Sequence, residues 1–268
     1  MSKLAPTPKF PVDLNPPEIK TLKESLRRRF RGIMTPADNV LYFPKNLDVR
    51  ICPKNGMSTL KIVLMDVRLK ENPDRYNELE LDWQAIGTRG ARKYEIIHRA
   101  YMDDMPFRQG STRIAIFRDP VDRFMGACNY IRQEYQSILD KYKIESMDDL
   151  TTEQLTRLAI ISDMDLLPDD INDILEGVEK GEIVNTHFFP QWHYLGNKSQ
   201  YTYIYNVREL GECLMYIQNH CKYNVDTTLR ENKTEEKYYG TASDLDTKTR
   251  WRIENLYEED YMYGWGKR

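Results

Sequence analysis

At 268 residues, 40% hydrophobic and 11% aromatic, the chain is long and apolar enough to bury a core, which excludes global disorder. A formal net charge of −3 with 30% charged residues argues against a basic nucleic-acid-binding domain, so any grip on an anion must be local. No run approaches the roughly 20 apolar residues that span a bilayer, and Met1-Ser2-Lys3-Leu4-Ala5-Pro6 lacks the apolar stretch of a signal peptide, so a cytoplasmic protein is expected.

Eight of the 13 prolines fall within the first 53 residues, which predicts an extended or turn-like N-terminal arm over residues 1–45, packed on a domain spanning 46–268. Within the arm, Leu22, Leu26 and Phe30 stand at helical spacing, and Arg27, Arg28, Arg29 and Arg31 read as a solvated face. The run from Val49 to Cys52 reads as a short strand, and Ser58 to Lys70 as an amphipathic helix with Leu60, Val63, Leu64 and Val67 on one side. A second strand covers Arg113–Phe117, and Pro120 at a first helical position opens a helix to about Lys143. Met147 to Lys180 is helical and acidic, and Thr151-Thr152-Glu153-Gln154 resembles a helix start. Tyr201–Tyr205 reads as a strand, and Arg208–His220 and Asp246–Tyr257 as helices. Strand, turn, helix, twice over, predicts an α/β domain with a parallel sheet flanked by helices and its ligands at the strands' carboxyl ends.

Two turns carry the chemistry. In Cys52-Pro53-Lys54-Asn55-Gly56-Met57-Ser58-Thr59 a lysine, two hydroxyls and the N–H groups of a starting helix converge just past a strand, an arrangement suited to phosphate or sulfate. The plainer alternative for this stretch, read alone, is a surface turn with a solvated lysine. A second pattern, Phe117-Arg118-Asp119-Pro120-Val121-Asp122-Arg123-Phe124, follows with Arg118 64 residues after Lys54. Both arginines there can hold a dianion in a bidentate way, although Arg118 could instead pair with Asp119 or Asp122. No Gly-Lys-Ser or Gly-Lys-Thr triplet occurs, which disfavours a Walker-type ATP or GTP hydrolase. The four cysteines, Cys52, Cys128, Cys213 and Cys221, lack a C-x-x-C pair and read as reduced, mostly buried thiols, with Cys213 and Cys221 the one conceivable bridge.

Taken in order, these residues resemble the sulfotransferases that use 3′-phosphoadenosine-5′-phosphosulfate (PAPS), and especially their carbohydrate-modifying branch. The first turn is similar to that family's 5′-phosphosulfate loop and the second to its 3′-phosphate motif. Asn185-Thr186-His187-Phe188-Phe189-Pro190-Gln191 and Leu256-Tyr257-Glu258-Glu259-Asp260-Tyr261 are weaker likenesses. The resemblance runs from about residue 47 onward and implies a P-loop-like fold with PAPS as donor and no metal. It implies Lys54, Asn55, Gly56, Met57, Ser58 and Thr59 around the 5′-phosphosulfate, Arg118 and Arg123 on the 3′-phosphate, and Lys233 in a loop closing over the cofactor.

A histidine suits the acceptor's proton because its ordinary pKa of ~6.5 lies near neutrality. His98, between the two motifs, is the first candidate and His187 the second, with the carboxylates Asp103 and Asp104 left open; His193 and His220 read as structural or exposed. The implied acceptor is a hydroxyl of a glycan or glycolipid. One position departs from the family: Gly126 stands where a serine usually donates to the 3′-phosphate. That departure keeps a PAP-binding protein without turnover in view, beside an atypical nucleotide-dependent kinase.

Overall fold

The computed structural model describes residues 37–71, 98–100, 107–142, 167–183, 185–230 and 237–267. In chain order they form β1 (Ala37–Phe43), β2 (Leu47–Arg50), α1 (Met57–Glu71), β3 (His98–Ala100), β4 (Thr112–Phe117), α2 (Pro120–Tyr142), α3 (Ile171–Lys180), α4 (Trp192–Leu195), β5 (Tyr203–Asn206), α5 (Leu210–Cys221), α6 (Thr247–Leu256) and α7 (Glu258–Met262), with short 3₁₀ turns between. The predicted basic helix, the segment 147–166, Asp103, Asp104 and Lys233 lie outside the described residues.

One five-stranded sheet runs in the order β3-β1-β2-β4-β5. The α/β class is as expected, but the sheet is mixed rather than parallel throughout. β2, β4 and β5 are parallel neighbours, whereas β1 pairs antiparallel with both β2 and β3. The cause is local: Pro44-Lys45-Asn46 joins β1 to β2, with Lys45 and Asn46 at φ 56° and 57°, and so short a turn can only reverse the chain. β1 therefore lies inside the stretch read as the N-terminal arm, and the domain reaches back at least to Ala37.

Alternation along the strands sends side chains to two different cores. Leu47, Val49 and Ile51 from β2, with Ile114 and Ile116 from β4, pack against Leu60, Val63, Leu64 and Val67 of α1 and Leu210, Leu214 and Ile217 of α5. The opposite face carries Cys52 and Ala115 under Phe189, Trp192, Leu195 and Trp265. A third cluster binds α2 to α3 and α6 through Val121, Phe124, Cys128, Ile174, Leu175, Ile253 and Tyr257. At roughly 1.5–3 kcal/mol for each fully buried aliphatic or aromatic side chain, these three contacts hold the strand ends in fixed relation. All four cysteines are buried and free, so the conceivable bridge is not made. Among the described residues no helix is long and apolar enough to cross a membrane.

Candidate functional site

Between β2 and α1 the chain makes a tight turn in which the Asn55 N–H donates to the Cys52 carbonyl at 3.1 Å. Pro53 presets the second position, and Lys54, at φ 70°, takes the left-handed third position that glycine usually fills. Such backbone costs a residue with a Cβ about 1–2 kcal/mol, and strain of this kind persists only where its surroundings enforce it. Asn55 supplies the enforcement. Its buried side-chain amide donates to the Ile116 carbonyl and to Gln191 Oε1, both at 3.1 Å. The Asn55 N–H expected to face an anion is thus spent inside the turn. Gly56, at φ 78°, is pressed against Leu210 so closely that a Cβ would sit 3.0 Å from Leu210 Cδ2. Met57, Ser58 and Thr59 form the first turn of α1, whose N–H groups have no earlier helical carbonyl to bond. Thr59 is buried, and Met57 and Ser58 are half-buried.

Lys54 extends to α2, its Nζ 2.8 Å from the centroid of the Tyr130 ring. The same ring also packs against His187, 5.1 Å away between centroids. Asn185 Oδ1 accepts from the His187 main-chain N–H at 2.9 Å and lies 2.7 Å from His187 Nδ1. Burial, then the cations Lys54 and Arg123, push the His187 imidazole down to about 3, so it is neutral at physiological pH. His187 Nε2 makes no hydrogen bond within the protein among the described residues.

The second turn lies one strand over. Asp119 Oδ1 caps α2 by accepting from the N–H groups of Val121 and Asp122, with Pro120 in the first helical position. Arg118 is fixed by its main chain, which exchanges two bonds with the Gln191 amide: N–H to Oε1 at 3.2 Å, and Nε2–H to its carbonyl at 2.8 Å. Its side chain enters a cavity of about 620 Å³ lined by Asp122, Gly126, Asn129, Arg208 and Lys237. The guanidinium lies over Gly126, where a Cβ would stand 2.6 Å from Nη1. Burial lowers the Arg118 pKa, and Lys237 is lowered by burial and by Arg118 itself. Two cations that repel one another in a concave site favour an anion between them, although Asp119 and Asp122 line the same cavity. Arg208 is already engaged with Asp122 at 2.7 Å.

Arg123 departs from expectation. It is fully buried, is not among the cavity's lining, and donates through Nη2 to the Phe189 carbonyl. Among the described residues its Nε and Nη1 have no hydrogen-bond acceptor, and the guanidinium lies 5.9 Å from the Tyr257 ring. This arginine is a strut beneath the site rather than a ligand in it. The reason is angular: Asp122, Gly126 and Asn129 share the cavity stripe of α2, while Arg123 points about 100° away from Asp122, into the core.

The two weaker likenesses meet under both turns. Asp260 accepts from the N–H groups of Gln191 and Trp192 at 3.1 and 2.8 Å, Tyr257 Oη donates to the Phe188 carbonyl at 2.8 Å, and Gln191 Nε2 also donates to the Trp265 carbonyl at 3.0 Å. Burial pushes the Asp260 carboxyl up to about 6 against the opposing pull of Arg123 and those N–H donors. Gln191 thereby ties the lysine turn, the arginine turn and the C-terminal segment to one amide.

His98 lies on the outermost strand, level with Val40 and, through it, Arg50. With β1 between them, β3 and β2 are roughly 10 Å apart. His193 is buried and stacked on Trp192 at 4.0 Å, and His220 Nε2 lies 2.8 Å from the Lys45 carbonyl, so both have structural partners. Four residues gain roles the sequence reading did not give them: Tyr130, Asn185, Gln191 and Lys237. Asn185 and Gln191 stood in a quoted segment. Lys237 stands four residues beyond Lys233 and shares the cavity lining with Arg118. Compared with family models, curated proteins and solved structures, the chain matches none.

Proposed function

We propose that this protein is a sulfotransferase that moves the sulfuryl group of PAPS to an acceptor hydroxyl, the class of acceptor implied by the sequence being a carbohydrate or glycolipid. One observation carries the reading. Lys54 meets α2 at Tyr130 and Arg118 meets it at Gly126, four residues apart on one helix. Four residues rise about 6 Å and stay on one side of the helix, so both cations meet the same stretch of α2, which suits a single ribose bearing phosphates on its 3′ and 5′ carbons.

The residues fit such a donor. Arg118 and Lys237 would hold the 3′-phosphate, and the small Gly126 leaves room for the guanidinium where a serine would crowd it. Lys54 and the first-turn N–H groups of α1 would hold the 5′ end. PAPS, when bound, supplies the sulfuryl group, its sulfur–oxygen bond to the 5′-phosphate breaking as the acceptor oxygen bonds to sulfur. Lys54 stabilises the charge that grows on the leaving oxygen. His187, packed with Lys54 against Tyr130 and with no hydrogen bond on Nε2 among the described residues, takes the acceptor's proton there.

A transfer assay with labelled PAPS against mixed glycan and lipid acceptors tests the activity, beside thermal shifts with PAP, ADP and ATP plus Mg²⁺. Stabilisation by PAP alone, lost in Arg118→Ala and reduced in Lys54→Ala, together with label transfer, is the expected result. Preference for ATP with Mg²⁺ overturns it in favour of a kinase. PAP binding without transfer to any acceptor reduces it to a nucleotide-binding protein. Activity kept in His187→Gln and lost in His98→Ala moves the base to β3.

A further inference from the structure

We infer that Asn185 is a positioning residue that fixes the His187 ring in one tautomer and one orientation, with Nδ1 carrying the proton and Nε2 left as the proton acceptor. The inference deepens the sulfotransferase reading and rests on it for its catalytic meaning. Its structural content stands separately. Asn185 is 7% exposed, and its Oδ1 receives two donors from the same residue, the His187 main-chain N–H at 2.9 Å and Nδ1 at 2.7 Å. An amide oxygen can only accept, so the short contact requires Nδ1 to be the protonated nitrogen. The main-chain bond sets where the oxygen stands, at the start of the 3₁₀ turn Thr186–Phe188, and the ring must turn to meet it. Tyr130, which also carries Lys54 over its ring, packs against the imidazole. With Nδ1 committed, Nε2 is the one ring atom able to take a proton, and among the described residues it makes no hydrogen bond.

An amide suits this place where a carboxylate would not. Lys54 and Arg123 already press on the imidazole. A carboxylate at position 185 would offset them and draw a second proton onto the ring, filling Nε2 before an acceptor arrives. Asn185 orients without adding charge.

The first test uses the wild-type full chain and no substrate. Nitrogen-15 NMR of labelled histidine, with the His187 signal assigned by its loss in His187→Gln, is expected to show Nδ1 as a protonated and Nε2 as an unprotonated nitrogen between pH 5 and 8. An Nε2–H tautomer, or a doubly protonated ring, overturns the inference. The second test reads turnover. Asn185→Ala is expected to lower kcat by about 10²-fold with the pH–rate profile still flat on its acid side. Asn185→Asp is expected to introduce an acid limb, shifted up by about 1–3 pH units relative to wild type. If both variants lose activity only in proportion to a lowered Tm, with unchanged pH profiles, Asn185 is merely structural. If the tautomer is as stated but no chain transfers sulfate, the sulfotransferase reading fails while the Asn185–His187 geometry stands.

Discussion

The turn after β2 and the turn after β4 are built alike, each a parallel strand running into a helix start, yet they grip in different ways. The first places a single lysine on strained backbone and aims it at an aromatic ring, beside a neutral histidine. The second keeps its backbone relaxed and gathers two cations in an open cavity. On the sulfotransferase reading, the lysine would follow a moving charge and so be held at one defined point, whereas the cations of the second turn would anchor an unchanging phosphate in a wider space. The same contrast separates two arginines five residues apart: Arg118 lines the cavity, and Arg123 is fully buried in the core.

The sharpest way to break this comparison is Lys54→Ala, expected to lower transfer by about 10²–10³-fold while PAP binding weakens far less. Lys54→Gly should lose the same activity yet raise stability by about 1 kcal/mol in urea unfolding, because glycine relieves the left-handed position. No gain in stability would mean the turn is not strained.

The arginines should separate by measurement. Arg123→Leu is expected to cost about 3 kcal/mol of stability, since it removes the bond to the Phe189 carbonyl and strips the buried Asp260 of its nearby cation. Arg118→Ala should leave stability nearly unchanged and weaken PAP binding by about 10–100-fold in calorimetry. Exchanged outcomes would reverse their assignments.

Acid titration of stability compares two buried groups of opposite sign. His187 is pushed down to about 3, so below its ordinary ~6.5 the unfolded chain takes up a proton that the fold refuses, and stability drops as pH falls. Asp260 is pushed up to about 6, so between there and its ordinary ~3.9 the fold holds the extra proton and stability rises as pH falls. Between about pH 6 and 4 the two largely cancel. His187→Gln should leave only the Asp260 contribution, and its stability relative to wild type should grow on acidification by up to about 1.4 kcal/mol per pH unit. A constant offset across that range would show that His187 titrates normally.

The smallest effect is expected from Gly126→Ser. A Cβ there meets only the far end of the Arg118 side chain, which can swing aside, so PAP affinity should fall a few-fold with little change in Tm. A large gain in affinity would mean that the missing hydroxyl, not the guanidinium, is what this site lacks.

Much of the molecule beyond residue 47 was legible because apolar spacing and capping agree: Leu60, Val63, Leu64 and Val67 are all buried as their period predicts, and α2 begins at its proline. The β1–β2 hairpin was hidden by the prolines around it, although Val40-Leu41-Tyr42-Phe43 followed by Asn46 carried the signal. At the site, motif order brought Lys54 and Arg118 forward. It could not separate Arg118 from Arg123, because that depends on which stripe of α2 meets the cavity. Lys237 was unreadable for another reason, since nothing local marks which lysine of a charged segment will fold back onto an arginine far upstream.

The Gln191 amide has a kinetic consequence. It joins Asn55, Arg118 and Trp265, and its bond to Asn55 closes 136 residues of chain. Contacts that distant are made late, after nearer pairings have shortened the search. A refolding experiment should find the helices in place well before nucleotide can be captured, with competence arriving only when that one side chain docks.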